Sequence, residues 1–165
     1  MTTIHFFSSN RHRKGFTLIE LIVTVAIIGI LAAMAVPMGE VVIRRNKEHE
    51  LRSALREIRS AIDAYKLSYD QGHMLKTVGA SGYPPTLQVL EEGVSDAKSA
   101  TSKKIFFLRK VPSDPFSKAD SKGYESWGLR CYNSSASEPT AGADVFDVYS
   151  LNPAVGLNGI PYKEW

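Results

Sequence analysis

A single acid, Glu20, interrupts an otherwise apolar run from Phe16 to Val36, and the run follows Gly15 and the basic cluster Arg11, His12, Arg13 and Lys14. An ionised carboxylate facing lipid costs on the order of a few kcal/mol, so an acid in such a place usually has a partner or a function. It can also sit at the membrane edge and snorkel, or carry a proton. Hydrolysis of the bond after Gly15 would make Phe16 the first residue and place a new ammonium near lipid without a counter-ion. A neighbouring copy of the same helix, offset by about one turn, satisfies both charges at once. Glu20 would then set the register between subunits of a polymer.

No other constellation points to catalysis. Ser95 and Lys98 have the S-x-x-K spacing but lack the S-D-N and K-T-G companions that give it meaning. His5, His12, His49 and His73 include no i, i+4 pair for a metal. There is neither a G-x-S-x-G nor a phosphate-cradling glycine loop. Cys131 is the only cysteine, which excludes an intramolecular disulfide and reads as a small, partly buried apolar residue. Asn133 to Ser135 matches the glycosylation triplet, which carries little meaning if the source is bacterial.

The elements that must position these residues begin with length: 165 residues suffice for one compact domain and an appendage. The net charge of +3 resides in the leader. Taking Arg11, Arg13 and Lys14 from the 20 Lys and Arg leaves as many basic as acidic side chains, of which there are 17, and removes the case for nucleic acid. Phe16 to Val36 is long enough to span a bilayer as a helix, with the basic end favouring the cytoplasm, although Arg44, Arg45 and Lys47 weaken the asymmetry. Ala32, Ala33 and Ala35 imitate a secretory cleavage site, so a signal or an uncleaved anchor is a competing reading. Gly29 and Ala33 form a small-xxx-small pair for close helix approach, and Pro37 with Gly39 marks a kink or the end of the span.

Past Pro37 the helical period continues. Leu51, Leu55, Ile58, Ile62, Tyr65 and Tyr69 form one apolar stripe, predicting a helix from about Phe16 to Tyr69, roughly 80 Å long, with the Gly of "DQGH" at its end. "GYPPTLQVLEEG" predicts a short helix with Leu87 and Leu90 facing a core, and Ser95 to Ser102 a loop. "KKIFFLRKVPSDPF" predicts a strand ending at Val111. "YESWGLRCYN" and "DVFDVYSLN" predict neighbouring strands of a small antiparallel sheet. The fold class is α+β, a sheet on the stripe of a long helix that protrudes as a stalk.

"KGFTLIE" ahead of a long apolar helix resembles the class III signal of type IV pilins and pseudopilins. The resemblance implies that a prepilin peptidase cuts between Gly15 and Phe16 and N-methylates Phe16, and that Glu20 is the acid at the fifth mature position. "AIDAYKLSYDQG", "GYPPTLQVLEE" and "RKVPSDPF", with the two aromatic strands, look like the major pseudopilin of the type II secretion system. This implies a leader at 1–15, a transmembrane assembly helix at 16–39 and a periplasmic domain at 40–165. It also implies a homopolymer that meets other pseudopilins and an inner-membrane platform, forms a periplasmic pseudopilus and drives protein export. A type IV pilin is the alternative, and its frequent carboxy-terminal disulfide loop is impossible here. A signal-anchored periplasmic binding or enzymatic domain is the alternative of another class. One departure stands out: such pseudopilins follow the last strand with an acidic calcium loop, whereas "LNPAVGLNGIPYKEW" has no acid between Asp147 and Glu164. Asn152, Asn158 and carbonyls make a thin ligand set, so no calcium or other cofactor is expected, with Asp144 and Asp147 as fallback ligands. Pro161, Tyr162 and Trp165 would anchor the loop by apolar packing.

Overall fold

The computed structural model describes residues 15–101, 103–117, 121 and 123–165, and at 34–37 the backbone alone. The leader before Gly15, with Arg11, His12, Arg13 and Lys14, lies outside the described residues. The chain divides into two units, the first ending at Val42 and the second formed by Ile43–Trp165.

One helix, α1 (Leu18–Asp70), supplies all the regular structure described in the first unit and opens the second. Its first half is rich in Ile and Val, which are indifferent helix formers in water. In hydrocarbon, however, every backbone group must be satisfied within the segment, and the helix is the form that does this. The backbone is assigned helical without a break through Pro37. At the far end Gly72 adopts φ +78°, its N–H meets the Tyr69 carbonyl at 3.0 Å, and the His73 N–H meets the Ser68 carbonyl at 3.0 Å. This paired closure needs a left-handed residue, which is why the helix stops at the predicted glycine.

In the second unit the predicted stripe is the core face. Leu51, Leu55, Ile58, Ile62 and Tyr65 are buried, Tyr69 is half-buried, and Arg52 and Arg56 are exposed. Helix α2 (Gln88–Glu92) adds Leu90, with Leu87 just ahead of it, to the same cluster. Strands β3 (Trp127–Arg130) and β4 (Asp147–Ser150) pair antiparallel with Trp127 opposite Ser150 and Arg130 opposite Asp147. Trp127 and Val148 bring them into the core cluster of α1. The fold is α+β, a long amino-terminal helix with small antiparallel sheets, as in type IV pilins.

Two expectations need correction. The strand predicted to end at Val111 stops much earlier: β2 is only Lys104–Ile105, and it pairs with a two-residue β1 (Val94–Ser95), so Ser95 belongs to a strand and not to a loop. Beyond β2 the end of α2 captures the backbone. The N–H groups of Phe107 and Leu108 both donate to the Leu90 carbonyl, at 3.1 and 2.9 Å, and the Val111 N–H donates to Glu91 Oε2 at 3.1 Å. The first two donors therefore serve the free carbonyl end of a helix, and the third a helix side chain, instead of a ladder. The sheet is accordingly two separate two-stranded pieces.

Two measurements check this reading. Ile58→Ala should destabilise the fold by roughly 2–5 kcal/mol in chemical unfolding, whereas Arg56→Ala should stay within about 0.5 kcal/mol. Equal effects would misplace the core face. In the β1–β2 turn Asp96 accepts the Lys98 N–H at 2.9 Å and faces His73 Nδ1 at 3.0 Å, and these hydrogen bonds hold its carboxyl below the ordinary range. Folding thus weakens proton binding there, so the contact's contribution is full above the ordinary carboxylate range and fades as pH falls through it. Carboxyl-carbon NMR titration should give Asp96 a midpoint below that of an unfolded aspartate.

Candidate functional site

The amino-terminal segment is built around the start of α1. Gly15, Phe16 and Thr17 form exposed irregular backbone, and the helix begins at Leu18. Thr17 Oγ1 accepts the Glu20 N–H at 3.3 Å, which caps one of the orphan amides of the first turn. "TLIE" thus has the spacing of a capping box, a signal that reading Glu20 for its charge alone passes over. The Glu20 carboxylate makes neither an ion pair nor a hydrogen bond to any described residue, and it lies in the first turn, where the helix dipole favours a negative charge. The Gly15–Phe16 bond lies outside helical structure, whereas Ala32, Ala33 and Ala35 lie inside α1.

The helix surface that follows is apolar all round and uncovered. Phe16 is 81% exposed and Leu31, at the far end of the described run, is 62% exposed. A Cβ added to Gly29 would meet nothing within 4 Å, so nothing in its own chain requires that residue to be small. α1 contains a stretch long and apolar enough to cross a membrane.

The fallback metal ligands are otherwise engaged. Asp147 Oδ1 accepts from Arg59 Nε at 2.7 Å and from the Val148 N–H at 2.8 Å, while Oδ2 accepts from Arg130 Nη2 at 3.0 Å. Asp144 Oδ1 accepts the Tyr132 N–H at 2.9 Å and Oδ2 accepts the Ser81 hydroxyl. An aspartate held between two guanidinium groups is a poor ligand for a dication. Among the described residues no group of three or more His, Cys, Asp and Glu side chains converges as a metal site.

Sequence reasoning passed over Glu48 and weighed Arg44 only as a charge beside the apolar run. Glu48 is buried, although it is charged. Its position shows why: stepping back from Leu51 continues the stripe to 48, so an acid there enters the core and must be partnered.

Comparison with known proteins adds independent findings. The model of the prokaryotic N-terminal methylation motif matches residues 10–36. The chain is 34% identical over 110 residues to the type II secretion system core protein G of Pseudomonas aeruginosa, covering 64% of this chain and 70% of that one. It is 34% identical over 114 residues to core protein G of Escherichia coli K12, covering 63% and 67%. It is also 45% identical over 60 residues to the type IV major fimbrial protein FimA of Dichelobacter nodosus, spanning only 38% of that protein's length and 36% of its own. No solved structure matches the chain significantly.

Replacing Asp147 tests the electrostatic reading of this region. Asp147→Ala removes the carboxylate that two guanidinium groups share and should cost about 1.5–3 kcal/mol, read from the urea midpoint of Trp fluorescence. An unchanged midpoint would show that both arginines are satisfied by water.

Proposed function

We propose that this chain, which belongs to the core protein G family of the type II secretion system, is a structural subunit that polymerises into a periplasmic pseudopilus and drives protein export. The observation that carries the proposal is the pairing of an uncovered apolar helix surface with an acid, Glu20, that has no partner among the described residues. Both demands are met by further copies of the same helix. The methylation motif over residues 10–36 supports the same start for the mature chain.

The steps follow from the residues. The subunit is anchored in the inner membrane by α1, with its amino terminus cytoplasmic and the second unit periplasmic. A prepilin peptidase adds water across the Gly15–Phe16 bond, releasing the leader with a new carboxylate and leaving an ammonium on Phe16, which is then N-methylated. The ammonium of one subunit meets Glu20 of another. Glu20 lies four residues after Phe16, which at about 1.5 Å per helical residue is about one turn, so the match sets an axial offset of that order. Apolar surface then passes from lipid to protein contact, with Gly29 and Ala33 permitting close approach. Pro37 lacks a backbone donor and provides the place where the helix bends as it leaves the bilayer. Members of this family are structural subunits, and no catalytic role is assigned to any residue here.

Likeness to the fimbrial protein favours a second reading, a type IV pilus subunit, on the same helix and the same charge pair. Neighbouring reading frames separate the two machines: a secretion ATPase and secretin beside this gene fit export. Intact-mass analysis of protein from its native host should show a chain that begins at methylated Phe16. A chain beginning at Met1, or after Ala35, would instead support a mere tether. Losing one member of a buried pair costs about 3–5 kcal/mol. Glu20→Ala should therefore keep the second unit folded but reduce filament yield by about a hundredfold or more. Undiminished filaments from that variant would remove the register role.

A further inference from the structure

The segment after β4 is fastened to α1 by charge. Glu48 Oε1 accepts the Leu157 N–H at 2.7 Å and the Tyr162 hydroxyl at 2.9 Å. Arg44, one turn earlier, donates from Nε to the Tyr162 oxygen at 3.2 Å and from Nη2 to the Val155 carbonyl, and its Nε lies 3.6 Å from Glu48 Oε1. Arg59 donates from Nη2 to the Trp165 main-chain oxygen at 2.7 Å, while its Nε holds Asp147 in β4 at 2.7 Å. The Arg52 guanidinium stacks 4.2 Å from the centre of the Trp165 ring. The loop closes on itself through Tyr162 N–H to Ala154 O, at 3.1 Å, and Gly156 N–H to Ile160 O, at 2.8 Å.

The resemblance implies a calcium loop in this segment, and the residues present do not fit one. Calcium takes six to eight oxygens with carboxylates among them. From Leu151 to Lys163 the loop has no carboxylate of its own, and the Val155 and Trp165 oxygens already accept from guanidinium groups. The acid aimed at the loop, Glu48, comes from α1 and spends one oxygen on two loop donors. Arg44, Arg52 and Arg59 all face the loop, and their positive charge opposes a dication.

We propose that the Arg44–Glu48–Tyr162 clamp, backed by Arg59, holds the carboxy-terminal loop in place of a divalent cation, so that this chain folds independently of calcium. The donors on one side and the acceptors on the other do what metal–oxygen bonds would otherwise do: they tie the loop to the helix and to the last strand. Because Glu48 is buried, removing either of its donors leaves a desolvated carboxylate with one hydrogen bond fewer and no water to replace it, which makes each part of the clamp costly to lose.

Thermal unfolding of the full chain in detergent, in excess EDTA and in millimolar calcium chloride, tests this. The two midpoints should coincide, because a cation that bound the folded loop tightly would raise the midpoint by about 5–10 °C. Tyr162→Phe keeps the ring and loses only the hydroxyl, and it should lower the midpoint by about 2–6 °C in both buffers. Glu48→Gln should lower it too, and the double variant should fall short of the sum, as coupled neighbours do. A calcium-dependent rise in the unaltered chain, or full stability of both single variants, would overturn the proposal. The assembly reading is untouched by either result, since Glu20 variants should melt like the unaltered chain.

Discussion

Hydrocarbon offers a polar group no partners, and that condition governs the first unit of this protein. It forces the backbone into a helix, tolerates Ile and Val that water would disfavour there, and makes a lone carboxylate costly. Nothing within the described chain covers the resulting apolar surface or pairs with Glu20. A polypeptide with such a surface is stable against lipid or against other apolar protein surfaces.

The second unit solves a related problem in water. The same helix continues with an apolar stripe on one side only, and α2, β3 and β4 bury that stripe. At position 48 the stripe carries an acid, and the fold accommodates it by bringing the carboxy-terminal loop to it: one oxygen receives a backbone amide and a phenol, and Arg44 lies beside it. A charge that would be a defect in an isolated helix becomes the attachment point of the fifteen residues from Leu151 to Trp165, which follow the last strand. The expected apolar anchoring by Tyr162 and Trp165 is present, with Tyr162 buried and stacked on Phe116, but polar bonds give the loop its direction.

The two units therefore use charge in opposite ways. In the second, Arg59 and Arg130 close around Asp147, and Arg44 closes beside Glu48, so the demands are satisfied inside one chain. In the first, Glu20 has no partner among the described residues. Under the proposed assembly this asymmetry has a use: the second unit is complete in itself, and a neighbouring copy would pair the charge of the first.

Periodicity and local chemistry made much of this legible in the sequence. The 3.6-residue stripe determined the core face of α1 and Gly72 determined its end, because each depends on neighbours a turn or less away, and "KGFTLIE" falls within the matched methylation motif at residues 10–36. The capping role of Thr17 was legible in the same way, in the spacing of "TLIE". Contacts across large sequence separations were not. Whether 107–111 would pair in a sheet or donate to the end of α2 depended on where the Leu90 carbonyl lay. The fate of Asp144 and Asp147 depended on which donors the fold brought to them, and the function of Glu48 depended on a tyrosine 114 residues away. A sequence states which groups need partners. Only the folded chain, by bringing distant segments within hydrogen-bond reach, decides which partners they get.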